Sequence, residues 1–435
     1  MTSFYINTFG CSANVVDSEQ MAGLLTEAKF TQSESIPEAD IVIFNSCTVK
    51  TPSENNFFKT INQFRKDHPH KLMVIAGCIP QADPQKFKEY SIVGTQNIQN
   101  IVEVVEEALN DNVLQILNND EMPPLNLPKV RKNPLVEIIP INRGCLGACT
   151  FCKTKQARGT LVSYPIKDIT DVAKKALKEG IKEIWLTSQD TFCYGFDIKT
   201  NIVQLLTQLT AIPGDFKIRI GMGNPDHLPK ILDDLITVYK HPKIFKFLHL
   251  PLQAGHNYTL QQMNRRYTVQ MYREFTDKFK TAIPEINIMT DIIVGYPTES
   301  DEHFWGTLQA IRRTNPDSIN ISKFWSRPGT PAAELKQLPT EVVKKRSKTL
   351  TDIFHNISKL NNERWLGWEG KILIDEKGKD NQWIGRNDSY KQVIVEGNYN
   401  LGDTLSVKIQ KTSTFALHGK VIAKAQEPTI KIEQY

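Results

Sequence analysis

The chain has 435 residues, 40% of them hydrophobic, and a formal net charge of +5. That is length for two or three domains with the composition of a globular protein; no apolar run reaches the roughly 18 residues that a bilayer-spanning helix needs, and the first residues, Met1-Thr2-Ser3-Phe4-Tyr5-Ile6, lack the basic and apolar regions of a secretion signal. A cytoplasmic protein without membrane contact is predicted; the modest charge permits nucleic-acid binding without requiring it, and the seven cysteines point to reduced thiols with metal or redox duties.

In chain order, Phe4 to Thr8, Ile41 to Asn45 and Leu72 to Ala76 are short apolar strands, separated by helical patterns over Ser18 to Ala28 and Glu54 to His68. Alternation of this kind predicts a doubly wound α/β domain over residues 1–115. Each strand runs into a cysteine: Cys11, Cys47 and Cys78 follow Gly10, Ser46 and Gly77. In a doubly wound fold the carboxyl ends of the strands converge on one crevice, so three thiols far apart in sequence can meet there. A single cysteine at a strand end is ordinarily a small packed residue; three in register, beside glycine or serine that lets backbone approach a bulky group, favour a metal cluster.

Residues 116–134 read as a linker, broken by Pro123, Pro124, Pro128 and Pro134 and kept solvated by Lys129, Arg131 and Lys132. The strand-like Val136 to Ile141 then leads into Arg143-Gly144-Cys145-Leu146-Gly147-Ala148-Cys149-Thr150-Phe151-Cys152. Its C-x3-C-x2-C spacing gives three thiolates from one loop. A four-iron cluster takes four ligands, so one iron is left open to bind something other than protein. The alternatives are a zinc knuckle or buried cysteines, but no second cysteine pair or histidine pair follows.

Further strands at Ile184 to Thr187, Lys217 to Ile220, Lys246 to His249, Ile288 to Val294 and Ser318 to Phe324 alternate with helical patterns. They predict a parallel sheet curved into a full or partial barrel over residues 135–365, with its chemistry at the carboxyl ends of the strands. Ser188, Gln189 and Asp190, then His249 to Gln253, then Gly295 to Thr298 occupy those ends. Cys193 has no companion in the sequence. A helix from Pro339, capped by Thr340 and carrying a stripe of Val343, Leu350, Phe354, Ile357 and Leu360, is expected to brace the barrel. Five short strands at Gly370 to Ile374, Trp383 to Arg386, Gln392 to Val395, Thr404 to Ile409 and His418 to Ile422 predict a small antiparallel barrel over residues 366–427. There Arg386, Tyr390 and Lys391 are placed to meet RNA, whereas Trp383 and Phe415 are assigned to the core.

The two cysteine sets, the barrel and the terminal module together resemble the methylthiotransferases of the radical S-adenosylmethionine (SAM) superfamily. So do the phrases Asn45-Ser46-Cys47-Thr48-Val49, Ala76-Gly77-Cys78, His249-Leu250-Pro251-Leu252-Gln253-Ala254-Gly255, Met263-Asn264-Arg265 and Asp291-Ile292-Ile293-Val294-Gly295-Tyr296-Pro297. The resemblance implies a Rossmann-like N-terminal domain, a partial radical SAM (β/α) barrel and a TRAM-like RNA-binding barrel. It implies two 4Fe-4S clusters: one on Cys145, Cys149 and Cys152, whose open iron chelates SAM, and an auxiliary one on Cys11, Cys47 and Cys78 that carries the transferred sulfur. Phe151 packs near the adenine of SAM in this scheme, and Ser188, Gln189, Asp190 and Gln253 line the SAM cavity. Ser188 departs from the glycine common at that place.

Substrates in the family are isopentenyladenosine or threonylcarbamoyladenosine in tRNA, or an aspartate of a ribosomal protein. The run Cys152-Lys153-Thr154-Lys155-Gln156-Ala157-Arg158-Gly159 is most similar to the threonylcarbamoyladenosine group of archaea and eukaryotes, with Lys153, Lys155 and Arg158 as candidate contacts to RNA phosphate or the threonyl carboxylate. The resemblance further implies an electron donor such as a ferredoxin or flavodoxin, and a sulfur source. The rival from another class is a non-catalytic RNA-binding protein with structural metal sites.

Overall fold

Three neighbouring parallel strands, each ending at a cysteine, set the plan of the first domain in the computed structural model, which describes residues 1–48, 51–117 and 122–424. Strands β1 (Ser3–Thr8), β2 (Thr31–Gln32), β3 (Ile41–Ser46), β4 (Leu72–Gly77), β5 (Ser91–Val93) and β6 (Gln115–Ile116) form one parallel sheet in the order β2-β1-β3-β4-β5-β6. The helices are α1 (Ser12–Glu27), α2 (Thr51–Asp67), α3 (Cys78–Ala82) and α4 (Ile101–Leu109). The central strand β3 is buried throughout. Ile41 and Ile43 pack with α1 and α4 on one face, and Val42 and Phe44 meet Phe57 and Phe64 of α2 on the other. The strand order reverses between β1 and β3, which opens the crevice of a doubly wound sheet at their carboxyl ends. Helix α1 begins at Ser12, ahead of the expected Ser18: its first turns are polar because Asn14, Asp17 and Ser18 are buried toward that crevice, which hides the apolar period there.

The linker is solvated only in part: Lys132 is exposed, but the other two cations face inward. Lys129 and Arg131 both form ion pairs with Glu137, Arg131 at 2.6 Å, and Glu137 is 1% exposed. The backbone amides of Val130 and Lys132 donate to Glu19 of α1, each at 2.9 Å. The segment straps the first domain to the second because a carboxylate buried in the next strand requires its cations. Linker residues 118–121 lie outside the described residues.

The second domain starts with β7 (Val136–Pro140) and a short antiparallel pair, β8 (Asn142–Arg143) with β9 (Val162–Ser163). Between β8 and β9 lie the cysteine loop and α5 (Thr154–Arg158). Strands β10 (Glu183–Thr187), β11 (Lys217–Ile220), β12 (Phe247–His249), β13 (Asn287–Val294) and β14 (Ser318–Lys323) follow, alternating with α6 (Ile166–Lys178), α7 (Ile202–Thr210), α8 (Leu232–Tyr239), α9 (Asn257–Gln262), α10 (Val269–Ala282) and α11 (Asp301–Thr314). The parallel sheets β7-β10-β11 and β12-β13-β14 are joined by the bridge of Ile218 to Ile244 and by Gly223 donating to the His249 carbonyl at 3.0 Å. The result is an open barrel. Ile184, Leu186, Ile218 and Ile220 pack under the helices, while the alternate residues Trp185, Arg219 and Phe247 gather round Tyr390, with the Arg219 guanidinium 5.2 Å from its ring.

Helix α12 (Thr340–Glu363) packs along β14. Pro339 takes the cap position, and Thr340 is the first helical residue and not the cap. Leu350 and Phe354 are buried, but Leu360 is 65% exposed. In its place Ser358 and Asn362 turn inward and donate to the carbonyl of Thr414 at 2.6 and 3.1 Å.

The last five strands, β15 (Glu369–Lys377), β16 (Gln382–Arg386), β17 (Gln392–Glu396), β18 (Thr404–Thr412) and β19 (Leu417–Lys424), close into a barrel in the order β15-β16-β17-β19-β18. The expectation of an antiparallel barrel needs one correction, since β17 and β19 pair in parallel: a closed ring of five strands cannot alternate direction throughout. Residues 425–427 of the expected module lie outside the described residues. Trp383 belongs to the core, its indole N–H donating to the Gly397 carbonyl at 3.1 Å. Phe415 does not: it is 67% exposed, in the turn closed by Ser413 and Ala416, against His355. Arg386, Tyr390 and Lys391 are not free for RNA. Arg386 pairs with Asp375 at 3.2 Å, Tyr390 seats between the two barrels, and Lys391 is buried on Asp317 and Asn362.

Candidate active site

The first thiol set sits in the crevice at the ends of β1, β3 and β4. The thiols of Cys11 and Cys78 both donate to Oδ1 of Asn14, at 3.7 and 3.8 Å. Asn14 is held by donating to Asn45 Oδ1 at 3.2 Å and to the Ser46 carbonyl at 2.7 Å. Gly10, at φ +114°, leaves the space Cys47 needs, for a Cβ there would stand 2.7 Å from Cys47 Sγ. Burial pushes the Cys78 thiol up, against the pull of the nearby Arg158 guanidinium.

The second set lies in the loop after β8. Cys145 and Cys149 flank Gly147, their sulfurs 3.5 and 3.7 Å from the point where its Cβ would stand. The loop is pinned from α9: Thr150 donates through its hydroxyl to the Gln262 carbonyl at 2.9 Å, and Asn264 Nδ2 donates to the Ala148 carbonyl at 2.8 Å. Arg265 donates to Cys149 Sγ at 3.3 Å; it closes the Met263-Asn264-Arg265 phrase, whose sequence carries no sign of this contact. Burial, reinforced by Asp190, raises the Cys145 thiol to about 11; burial also raises Cys149, against Arg265. Thiols so placed ionise when a cation takes the proton's place.

Among the described residues, each set offers three soft thiolate donors and no fourth, which fits an iron-sulfur group with one iron left open.

The other sequence-derived candidates divide. Phe151 packs on the barrel core. The Ser188 hydroxyl accepts from the Asp190 amide at 3.0 Å, and Gln189 Oε1 accepts from the Gly144 amide at 2.8 Å, tying the end of β10 to the cysteine loop. Asp190, 2% exposed, accepts from the amides of Phe192 and Asn224 at 3.1 and 2.9 Å and faces His227 Nε2 at 3.2 Å. Cys193, alone in the sequence, is beside this pair and donates to the Asp190 carbonyl at 3.2 Å. Gln253 adopts φ +69° and bridges to Ile292 of β13.

Lys153, Lys155 and Arg158 are not surface cations waiting for RNA. Lys153 is 3% exposed and binds Asp83 of the first domain at 2.5 Å; Lys155 donates to the Cys145 carbonyl at 2.6 Å; Arg158 is 5% exposed and pairs with Asp17 at 2.6 Å. Helix α5 runs along the domain interface, so its cations are taken by carboxylates and carbonyls there.

Family models match in three blocks: Uncharacterized protein family UPF0004 over residues 3–95, the Radical SAM superfamily over 139–311 and the TRAM domain over 366–422. The threonylcarbamoyladenosine tRNA methylthiotransferase of Homo sapiens is 39% identical over 442 residues, covering 99% of this chain and 76% of the relative. The probable enzyme of the same name from Pyrococcus horikoshii is 40% identical over 428 residues, covering 97% and 100%. The chain belongs to the threonylcarbamoyladenosine tRNA methylthiotransferase family. Its place in the radical SAM superfamily makes it a radical SAM enzyme, with a 4Fe-4S cluster and SAM as cofactors. Solved structures of two other superfamily members share the fold. The radical SAM methyltransferase TsrM from Kitasatospora setae aligns with a TM-score of 0.55 at 12% identity over 77% of this chain and 74% of its own. The cobalamin-dependent SAM radical enzyme OxsB aligns with a TM-score of 0.51 at 13% identity over 81% and 56%. No helix among the described residues is long and apolar enough to cross a membrane.

Proposed function

We propose that the chain attaches a methylthio group to carbon 2 of the adenine in N6-threonylcarbamoyladenosine at position 37 of tRNA. The observation that carries this reading is the full-length similarity to relatives of that name in a chain that also holds two separate three-cysteine sites. No acid or base in a protein is strong enough to remove an aromatic C–H, so the hydrogen must be taken by cofactor chemistry. Bound SAM and its cluster supply a carbon radical for that purpose.

Cys145, Cys149 and Cys152 hold the first cluster, and Arg265 steadies the ionised Cys149. Phe151, Ser188, Gln189, Asp190 and Gln253 orient SAM above the loop. Cys11, Cys47 and Cys78 would hold a second 4Fe-4S cluster, which would supply the sulfur to be transferred. The partners are tRNA, an electron donor such as a ferredoxin or flavodoxin, and a sulfur source, in the cytoplasm.

Mass spectrometry of tRNA nucleosides from cells with and without the gene tests the substrate. Loss of the methylthio derivative of threonylcarbamoyladenosine is expected. Its persistence, with loss of another methylthio nucleoside or of label in a ribosomal protein, moves the substrate elsewhere in the family. For the division of labour, Cys145→Ala is expected to abolish SAM cleavage, and Cys11→Ala to leave cleavage while stopping sulfur transfer. Retained methylthiolation in either variant overturns the scheme.

A further inference from the structure

The thiol set of the first domain is overlain by a residue of the second. Arg158 closes α5, the short helix that starts just after Cys152. Its Nη2 donates to Asp17 Oδ2 at 2.6 Å and to Asn14 Oδ1 at 3.3 Å, and Asn14 Oδ1 is the atom on which Cys11 and Cys78 converge. The guanidinium lies close enough to Cys78 for its charge to pull that thiol's proton affinity down, against burial. Helix α5 is fixed at both ends: Lys155 donates to the Cys145 carbonyl at 2.6 Å, and Thr95 of the first domain donates to the Ala157 carbonyl at 2.7 Å. One short element thus touches both cysteine sites.

A buried ion pair is a poor device for docking two domains, because desolvating the charges offsets most of their attraction and apolar residues of similar volume serve as well. Beside three thiols it has a different use. Once the thiols ionise on iron they donate nothing to Asn14, and a fixed guanidinium on that same oxygen remains to oppose the added negative charge. Hydrogen bonds to sulfur and local charge are what set the potential of an iron-sulfur group.

We propose that Arg158 is a positioning residue for the second iron-sulfur site: a buried positive charge tied to the Asn14 oxygen that Cys11 and Cys78 share, delivered by the segment that carries the radical-generating loop. Asp17 sets the strength of that charge. The proposal rests on the reading of Cys11, Cys47 and Cys78 as a cluster site.

The test uses the full-length chain with Cys145, Cys149 and Cys152 all changed to Ala, so that iron is held only at the second site. After anaerobic reconstitution with iron and sulfide, metal content, the electron paramagnetic resonance of the reduced cluster and its midpoint potential are compared for Arg158, Arg158→Lys and Arg158→Met. The Met variant is expected to have a more negative midpoint potential and an altered resonance, with Lys restoring most of the potential. Asp17→Asn, which leaves the guanidinium uncompensated, is expected to shift the potential the opposite way. It decides the matter if the Met variant fails to fold. Full iron content with unchanged potential and resonance in the variants overturns the role of Arg158 alone. Absence of bound iron and sulfide in the parent overturns the cluster reading and the proposal with it.

Discussion

Arg265 donates to the sulfur of Cys149 at 3.3 Å from a half-buried position in which its charge also lies over the ring of Tyr267. The contact crosses from the end of α9 to the cysteine loop and gives that loop a cation to match the thiolate. Charge-assisted hydrogen bonds of this kind contribute about 1.5–3 kcal/mol. Arg265→Met is therefore expected to weaken iron retention at Cys145, Cys149 and Cys152 and to lower deoxyadenosine release from SAM by about tenfold or more, with Arg265→Lys intermediate. Iron analysis and deoxyadenosine quantification check it; a Met variant with normal iron and normal release removes Arg265 from the site.

Gly10 stands at φ +114°, where an L side chain is strained, and a Cβ on it would meet Cys47 Cβ at 2.4 Å. Either effect displaces Cys47 from the crevice. Gly10→Ala should lose the iron of the first domain and methylthiolation while SAM cleavage continues, because the barrel loop is not touched. Simultaneous loss of both activities would show that the glycine serves the fold as a whole.

What was legible in the sequence follows from the range of each interaction. The loop cysteines are local, so their spacing alone declares them, and Cys11, Cys47 and Cys78 are announced by the strands that end at them. The adjacency of β1, β3 and β4 is a property of the doubly wound topology, hence foreseeable. Arg158 and Lys153 misled because a charged residue near a loop ordinarily faces water, and nothing in the sequence declares that Asp17 and Asp83 wait opposite. Lys129 misled in the same way, its partner Glu137 being hidden in a strand that otherwise reads as apolar. Asn14 escaped notice as a residue in the polar first turn of a helix; only the fold brings two thiols to its oxygen.

Burial raises the Glu183 carboxyl to about 7, against the hydrogen bond it accepts from Trp185 Nε1 at 2.8 Å. The folded chain thus keeps a proton there that the unfolded chain has released. Stability from this group is complete below about pH 4.5, the unfolded value, and is lost as pH rises toward 7. Glu183→Gln keeps an acceptor for Trp185 without the charge, so it should gain about 1–3 kcal/mol over the parent at pH 8 and little at pH 4.5. Urea unfolding at the two pH values measures the difference; an equal effect at both would locate the raised proton affinity elsewhere.

Under the proposed division of labour the substrate meets a radical from the barrel and sulfur from the first domain, which puts the adenine where the two domains face each other. The segment after β14 bridges the two domains: Phe324 packs edge-on to Tyr296, and Arg327 reaches across to Glu54 at 2.7 Å and to the backbone of Thr48. Between them Trp325 is 45% exposed. A free indole beside a fixed bridge is a stacking surface for a base, worth about 1–3 kcal/mol. Trp325→Ala is expected to raise KM for tRNA by about tenfold with kcat and thermal stability little changed, and Trp325→Phe to recover most of the loss, since an aromatic ring suffices. Steady-state kinetics on unmodified tRNA bearing threonylcarbamoyladenosine decide it: an unchanged KM in the Ala variant means the base is held by other groups, whereas a fall in kcat alone places the indole at the reacting atoms.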